Sequence, residues 1–220
     1  MNILNFDSPL MSFLSRVADL IMLNLLFIVC CIPIVTIGTS MSALYTVTLK
    51  MAKNEDGYMF KTFFTAFKRN FKISTILWLV ALLVGTVIAI DYYVAMQITS
   101  AMKNILYVAT SILIAFYALV MIYLFPYIAR FENKIMDTLK NVLLISILNL
   151  PYSILLVVII AAAVVATLYV NLSIVLPIWL LGGFSLIAFI NSFIFRRVFV
   201  KYEPKDEASN DNSDNQQQSQ

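Results

Sequence analysis

The chain has 220 residues, 61% hydrophobic and 12% charged, with a mean hydropathy of +0.90; soluble domains carry about 25% charged residues, so this composition cannot supply a water-facing surface. It contains no histidine, which excludes histidine-based triads and removes the commonest general base and metal ligand together. Its glycines, Gly38, Gly57, Gly85, Gly182 and Gly183, make no phosphate-cradling loop, and the net charge of +3 lies beside apolar runs rather than on a basic module, so no nucleic-acid partner is expected.

Charge vanishes over residues 20–49, 73–90, 104–129 and 141–195, and a helix needs about 20 apolar residues to cross roughly 30 Å of hydrocarbon. The chain start carries Asp7 before any cation and its apolar run is longer than that of a cleavable leader, so it reads as retained. Run 20–49 is too long for one straight pass and too short for two standard ones; it reads as one broken pass, interrupted at Pro33. Cys30 and Cys31, adjacent within it, suit neither a disulfide framework nor a four-ligand metal site and read as packing. The segment from Pro33 to Ser42, "PIVTIGTSMS", joins a helix breaker to a glycine and four hydroxyls. Such a segment forms an ordinary kink whose hydroxyls satisfy the freed carbonyls, or a broken helix that exposes backbone to a solute. Asn24, Pro33, Thr36, Gly38 and Asn191 are the candidate polar site within the membrane.

Between the first two spans, Phe60, Phe63, Phe64, Phe67 and Phe71 recur at three- and four-residue intervals, with Lys61, Lys68 and Arg69 off the stripe. The spacing predicts an amphipathic helix on the cytoplasmic side. It rests in the lipid interface, or its rings, with Lys68 and Arg69, form a docking surface for another protein.

Asp91, beside Tyr92 and Tyr93, marks the outer boundary of the second span. After the third span a fainter amphipathic pattern, Ile135, Met136, Leu139, Val142 and Leu143, echoes the first. Run 141–195 must hold two passes, turning near residues 171–173, with a bend at Gly182 and Gly183 and a small-residue face at Ala161, Ala162, Ala163 and Ala166. Asn149, Asn171 and Asn191 read as interhelical hydrogen-bond glue. From residue 203 the chain is polar and acidic, so 201–220 is expected to be a disordered cytoplasmic tail on a single membrane domain covering 1–200.

Three basic segments flank the spans: Lys50 to Lys72, Arg130 to Lys140, and Arg196 to Lys205. They face one side only if pairs of passes separate them, and the charge rule makes that side the cytoplasm. The expectation is an all-α polytopic transmembrane bundle of about five spans, N-terminus outside and C-terminus inside; splitting the first run at Pro33 would give six and place both ends inside. No cofactor, metal site or catalytic set is expected, because Asp19, Asp91, Glu132 and the two thiols have no base partner at motif spacing.

On "LNLLFIVCCIPIVTIGTSMSALYTV" from Leu23, "FFTAFKRNFKISTILWL" from Phe63 and, more loosely, "FPYIARFENKIMDTLKNVLLISILNLP" from Phe125, the sequence resembles the YesL family of bacterial integral membrane proteins. The likeness runs over about residues 5 to 200. The family has no assigned catalytic or binding residues. Its members are often encoded beside carbohydrate uptake transporters, so the resemblance implies a non-enzymatic accessory role near carbohydrate transporter subunits in the bacterial cytoplasmic membrane. A small transporter or channel using the broken first span is the alternative.

Overall fold

The computed structural model describes residues 9–55, 57–97 and 103–202, without the side chains of 9, 10, 172 and 174. The expected tail therefore lies outside the described residues, apart from 201 and 202. Eight α-helices follow one another: α1 (Pro9–Cys31), α2 (Ile37–Ala52), α3 (Met59–Gln97), α4 (Lys103–Arg130), α5 (Ile135–Leu148), α6 (Leu150–Tyr169), α7 (Leu172–Ile178) and α8 (Phe184–Phe199). A π-helical turn, Trp179–Gly183, joins α7 to α8. Five helices are long and apolar enough to cross a membrane, Met11–Cys31, Met59–Gln97, Lys103–Arg130, Leu150–Tyr169 and Val175–Tyr202, and among the described residues there is no strand. The chain is a multi-pass helical membrane protein.

The first run is broken at Pro33, as expected, and turns back on itself there. Pro33 stops α1, a short 3-10 turn at Ile34–Thr36 reverses the chain, and α2 comes back along α1. At the far end of the pair, Arg16 Nη2 donates to Asn54 Oδ1 at 2.7 Å and its Nη1 donates to the Met51 carbonyl at 3.4 Å. The start of α1 and the end of α2 are thus neighbours. The proline does more than kink because the turn after it satisfies its own carbonyls. Thr36 Oγ1 donates to the carbonyls of Cys30 (2.7 Å) and Pro33 (2.8 Å), and Trp78 Nε1 of α3 donates to that of Ile34 at 2.8 Å. With those groups paired, a tight reversal is tolerable among apolar surroundings.

α2 is the hub. Its residues from Ser42 to Leu49 are all buried, under α3 on one side and α4 and α8 on others. A helix so enclosed needs no lipid-facing stripe, which explains its many small and hydroxylated residues. Its end is a Schellman closure: Glu55 N–H donates to Lys50 O and Asn54 N–H to Met51 O, both at 3.1 Å, with Asn54 left-handed at φ 58°. Asparagine is one of the few side-chain-bearing residues that adopt that conformation readily.

α3 runs antiparallel to α2, from Trp78 at the hairpin tip to Asn70, whose Nδ2 donates to Ser42 Oγ at 2.8 Å. With 39 residues it is about 58 Å long, nearly twice the hydrocarbon thickness. The amphipathic helix expected before the second span is there, continuous with that span. Beyond Trp78, α3 pairs with α4: Tyr117 hydroxyl donates to Ala81 O and Thr110 Oγ1 to Asp91 Oδ2, each at 3.0 Å. The hairpin therefore reaches only about halfway along α3.

α8 lies beside α2 in the same direction, with Ser192 Oγ donating to Thr48 Oγ1 at 2.8 Å and Arg196 Nη1 to Ala52 O at 3.1 Å. Arg16 and Arg196 both touch the last turn of α2, so these two residues lie at the same end of the molecule; the reversal at Pro33, which adds one return to the path, brings them there.

Candidate functional site: a basic hollow at one end of the bundle

The polar residues expected to form an intramembrane site are mostly structural. Asn24 is fully buried; its Nδ2 donates to the carbonyls of Trp179 and Leu180, both at 2.8 Å, and its Oδ1 accepts from Ser185 N–H at 3.1 Å. A π turn frees backbone groups from the regular ladder, and one asparagine amide from α1 takes up three of them. Pro33 and Thr36 make the hairpin turn. Gly38 marks the closest approach of α2 to α3: a Cβ there would stand 2.5 Å from Trp78 Cβ and 2.8 Å from the Ser74 carbonyl. Only glycine fits that crossing unstrained. Asn191 is different. It is fully buried beside the Tyr45 hydroxyl, and neither atom of its amide makes a hydrogen bond of good geometry.

The phenylalanine stripe divides. Phe63 is wholly buried, Phe67 half-buried, and Phe60, Phe64 and Phe71 are 49%, 44% and 43% exposed. Lys68 and Arg69 are exposed, and Arg69 Nη1 pairs with Glu132 Oε1 at 3.2 Å. Cys30 and Cys31 are free thiols. Among the described residues, no cluster of three metal-ligating side chains occurs.

At the end where α2, α4 and α8 finish and α3 begins, the helix ends splay around a hollow of about 310 Å³. Lys50, Lys53, Lys61, Arg69, Arg130 and Arg196 line it, with one carboxylate, Glu55, and a floor that includes Thr46, Ala129 and Phe199. These cations come from all three basic segments of the sequence, far apart along the chain. Sequence reasoning took them only as orientation signals, apart from Arg69. What it lacked was the return of α2, which brings Lys50 and Lys53 against Arg196.

Helix ends attract cations, so part of this charge is structural. Three helix C-termini meet here, each worth about half a negative charge, and Arg196 caps the Ala52 carbonyl. Lys53 Nζ stands 3.9 Å from Glu55 Oε1, and Arg69 is paired as above. Neighbouring hollows set cations and carboxylates side by side. The one beneath α1 sets Arg16 and Lys50 against Asp19 and Glu55, and the one beside α5 sets Arg69 and Lys134 against Glu132 and Asp137. A groove between α6 and α8, containing Ala163, Ala166 and Trp179, is apolar throughout.

Residues 20–92 match the family described as "Protein of unknown function, DUF624"; this stretch holds most of the hairpin and α3 up to Tyr92, including Lys50, Lys53, Lys61 and Arg69 of the hollow. Over 126 residues the chain is 29% identical to "Uncharacterized protein YesL" of Bacillus subtilis (strain 168), covering 57% of this chain and 59% of that protein. The match thus spans about six-tenths of the relative's length. No solved structure matches the chain at a significant level. By these two matches the chain is similar, over part of its length, to the YesL-like proteins, which are of unknown function.

Proposed function

We propose that this chain is a non-enzymatic accessory protein of the bacterial cytoplasmic membrane, linked to carbohydrate uptake, that works through its basic end on the cytoplasmic side. The observation that carries the reading is the hollow: cations from three separate segments meet on one surface, and Phe60 and Phe64 stand exposed on α3 beside Lys61. Positive charge next to apolar spans favours the cytoplasm. The link to carbohydrate uptake rests on the resemblance and on the habitual gene neighbours of the YesL family. The carboxylates that a catalyst would need are engaged elsewhere, Asp91 by Thr110 and Glu132 by Arg69.

Pull-down of the tagged protein from its own host in mild detergent, at native expression, tests this. Reproducible recovery of carbohydrate-transporter subunits, reduced when Phe60 and Phe64 are both changed to Ser, is the expected outcome. Recovery unaffected by the pair would remove the docking role of α3, and the absence of such subunits would remove the accessory reading.

A small transporter is the second reading, favoured by the buried amide of Asn191, which makes no hydrogen bond of good geometry. Asn24, Thr36 and Gly38, which that reading would place along a path, already hold the hairpin together. Uptake of a sugar into proteoliposomes, lost on Asn191→Leu, would support it.

A further inference from the structure

We propose that the acidic segment after Tyr202 docks across the basic hollow and masks the face that a partner would use. This rests on the accessory reading and adds its regulation. Three observations lead to it. First, charge is divided along the chain: five of its twelve acidic residues, Glu203, Asp206, Glu207, Asp211 and Asp214, fall within residues 203–214, where Lys205 is the one cation. Such an acidic segment is repelled by the anionic inner leaflet and drawn to exposed cations. Second, the hollow holds cations that the fold leaves open. Lys53, Arg69 and Arg196 are engaged by Glu55, Glu132 and the Ala52 carbonyl, but Lys50 of α2 and Lys61 of α3 are exposed and have no ion-pair partner among the described residues. The hydroxyls of Thr62 and Thr65 line the hollow on the same stretch of α3 and can donate to the same carboxylates. Third, the segment starts at the right place. Tyr202 is the last described residue, its hydroxyl accepting from Asn149 Nδ2 at 2.9 Å, and Arg196, six residues earlier, lines the hollow. The twelve residues from Tyr202 to Asp214 span up to about 40 Å, several times the roughly 8 to 10 Å between packed helices.

Each contact of this kind is weak, because exposed ion pairs are screened by water and salt. The tether offsets that weakness. A segment attached a few residues away is present at about millimolar effective concentration, so a contact of millimolar strength is made about half of the time. A mask of that strength competes with a partner yet yields to one that adds apolar groups for Phe60 and Phe64, which are exposed beside Lys61.

A carbodiimide joins carboxylates to amines that touch them. Applied to the full chain, one copy to a phosphatidylcholine nanodisc, and followed by digestion and mass spectrometry, it should join peptides from 206–220 to Lys50 or Lys61 at about 50 mM salt and fail to do so at about 500 mM. Lys134 and Lys140, exposed outside the hollow, should stay unjoined. The second measurement is the rate of lysine acetylation in a variant carrying Asp206→Asn, Glu207→Gln, Asp211→Asn and Asp214→Asn, checked as monodisperse. Lys50 and Lys61 should react about twofold faster in it, as release from a contact made half of the time requires, with Lys134 and Lys140 unchanged. Joining spread evenly over the four lysines, no joining to Lys50 or Lys61, or equal acetylation rates overturn the docking. Neither measurement contains a partner, so docking can fail while transporter subunits are still recovered, and can hold where none are. Where subunits are recovered, the variant should recover about twofold more of them, and no increase would overturn the masking.

Discussion

Asn24 and Asn191 are alike in type and in complete burial, yet the structure gives them opposite energetics. Three backbone groups depend on the Asn24 amide, whereas that of Asn191 makes no hydrogen bond of good geometry and has the Tyr45 hydroxyl as its polar neighbour. Replacing a hydrogen-bonding side chain with an apolar one of similar shape costs what its partners lose, about 1 to 3 kcal/mol for each buried group left unpaired, reduced within membranes to about 0.6 on average because unfolded helices find other partners. Asn24→Leu should therefore destabilise the protein by about 2 kcal/mol. Asn191→Leu should cost less than Asn24→Leu, because its amide makes no hydrogen bond of good geometry. Thermal unfolding in detergent, followed by loss of the monodisperse peak on size exclusion, compares the two directly. A larger loss from Asn191→Leu would mean that its amide is paired after all, with the Tyr45 hydroxyl or with a group that the fold does not itself provide. Both asparagines stood out in the sequence as polar residues within apolar runs. Which one was engaged could not be read there, because the groups that pair with Asn24 are two carbonyls of the π turn and an N–H in the first turn of α8, more than 150 residues away.

At the scale of elements, the first third of α3 shows how far periodicity reaches. Spacing of three and four residues identified a helix and put five rings on one stripe. Taken around the axis at 3.6 residues per turn, however, Phe63 falls about 60° to one side of Phe60 and Phe64 about 40° to the other. The Phe63 flank is buried: its ring lies 6.2 Å from that of Phe67 and belongs to the central core with Tyr45, Phe195 and Phe199. The opposite flank is exposed. A stripe some 100° wide is thus part core and part surface, and only the position of α2 decides which edge is which. Phe63→Ala should cost about 3 to 5 kcal/mol, the range for emptying a buried aromatic site. Phe60→Ala or Phe64→Ala should stay within about 0.5 kcal/mol, as exposed positions do. Denaturation midpoints of the three variants in one detergent test this ordering, and equal losses would place all three rings in the core. The turn near 171–173 and the irregularity at Gly182 and Gly183 were legible because glycine and asparagine act locally. The hairpin was not. Proline announces a break but not the angle of the chain after it, and that angle is set by Thr36 within the turn and by Trp78, far beyond it in sequence.

For the whole molecule, the hairpin changes the path of the chain through the membrane. α1 and α2 reverse at Ile32–Thr36 opposite Trp78, while α3 continues for another 19 residues to Gln97, about 28 Å further. The tip itself is apolar and open: Ile32 is 76% exposed, Ile34 66% and Val35 46%. Aliphatic side chains exposed beside a turn with satisfied carbonyls suit hydrocarbon better than water. The pair should thus enter from the basic end, turn within the bilayer and leave by the same side. Cys30 and Cys31 sit next to that tip, half-buried, and are the chain's two cysteines. They are built-in probes of depth. In intact cells and in inverted vesicles, a membrane-impermeant maleimide should leave both unlabelled until detergent is added. Single cysteines placed at Ser12, Asn54 and Lys201 in a background with Cys30 and Cys31 changed to Ser should all label from the cytoplasmic side, and one at Lys103 from the outside. Labelling of the native pair from outside would mean that the hairpin crosses completely. If Ser12 labelled from outside while Asn54 labelled from inside, the return of α2 along α1 would be wrong, and with it the meeting of Lys50 and Arg196 on which the hollow depends.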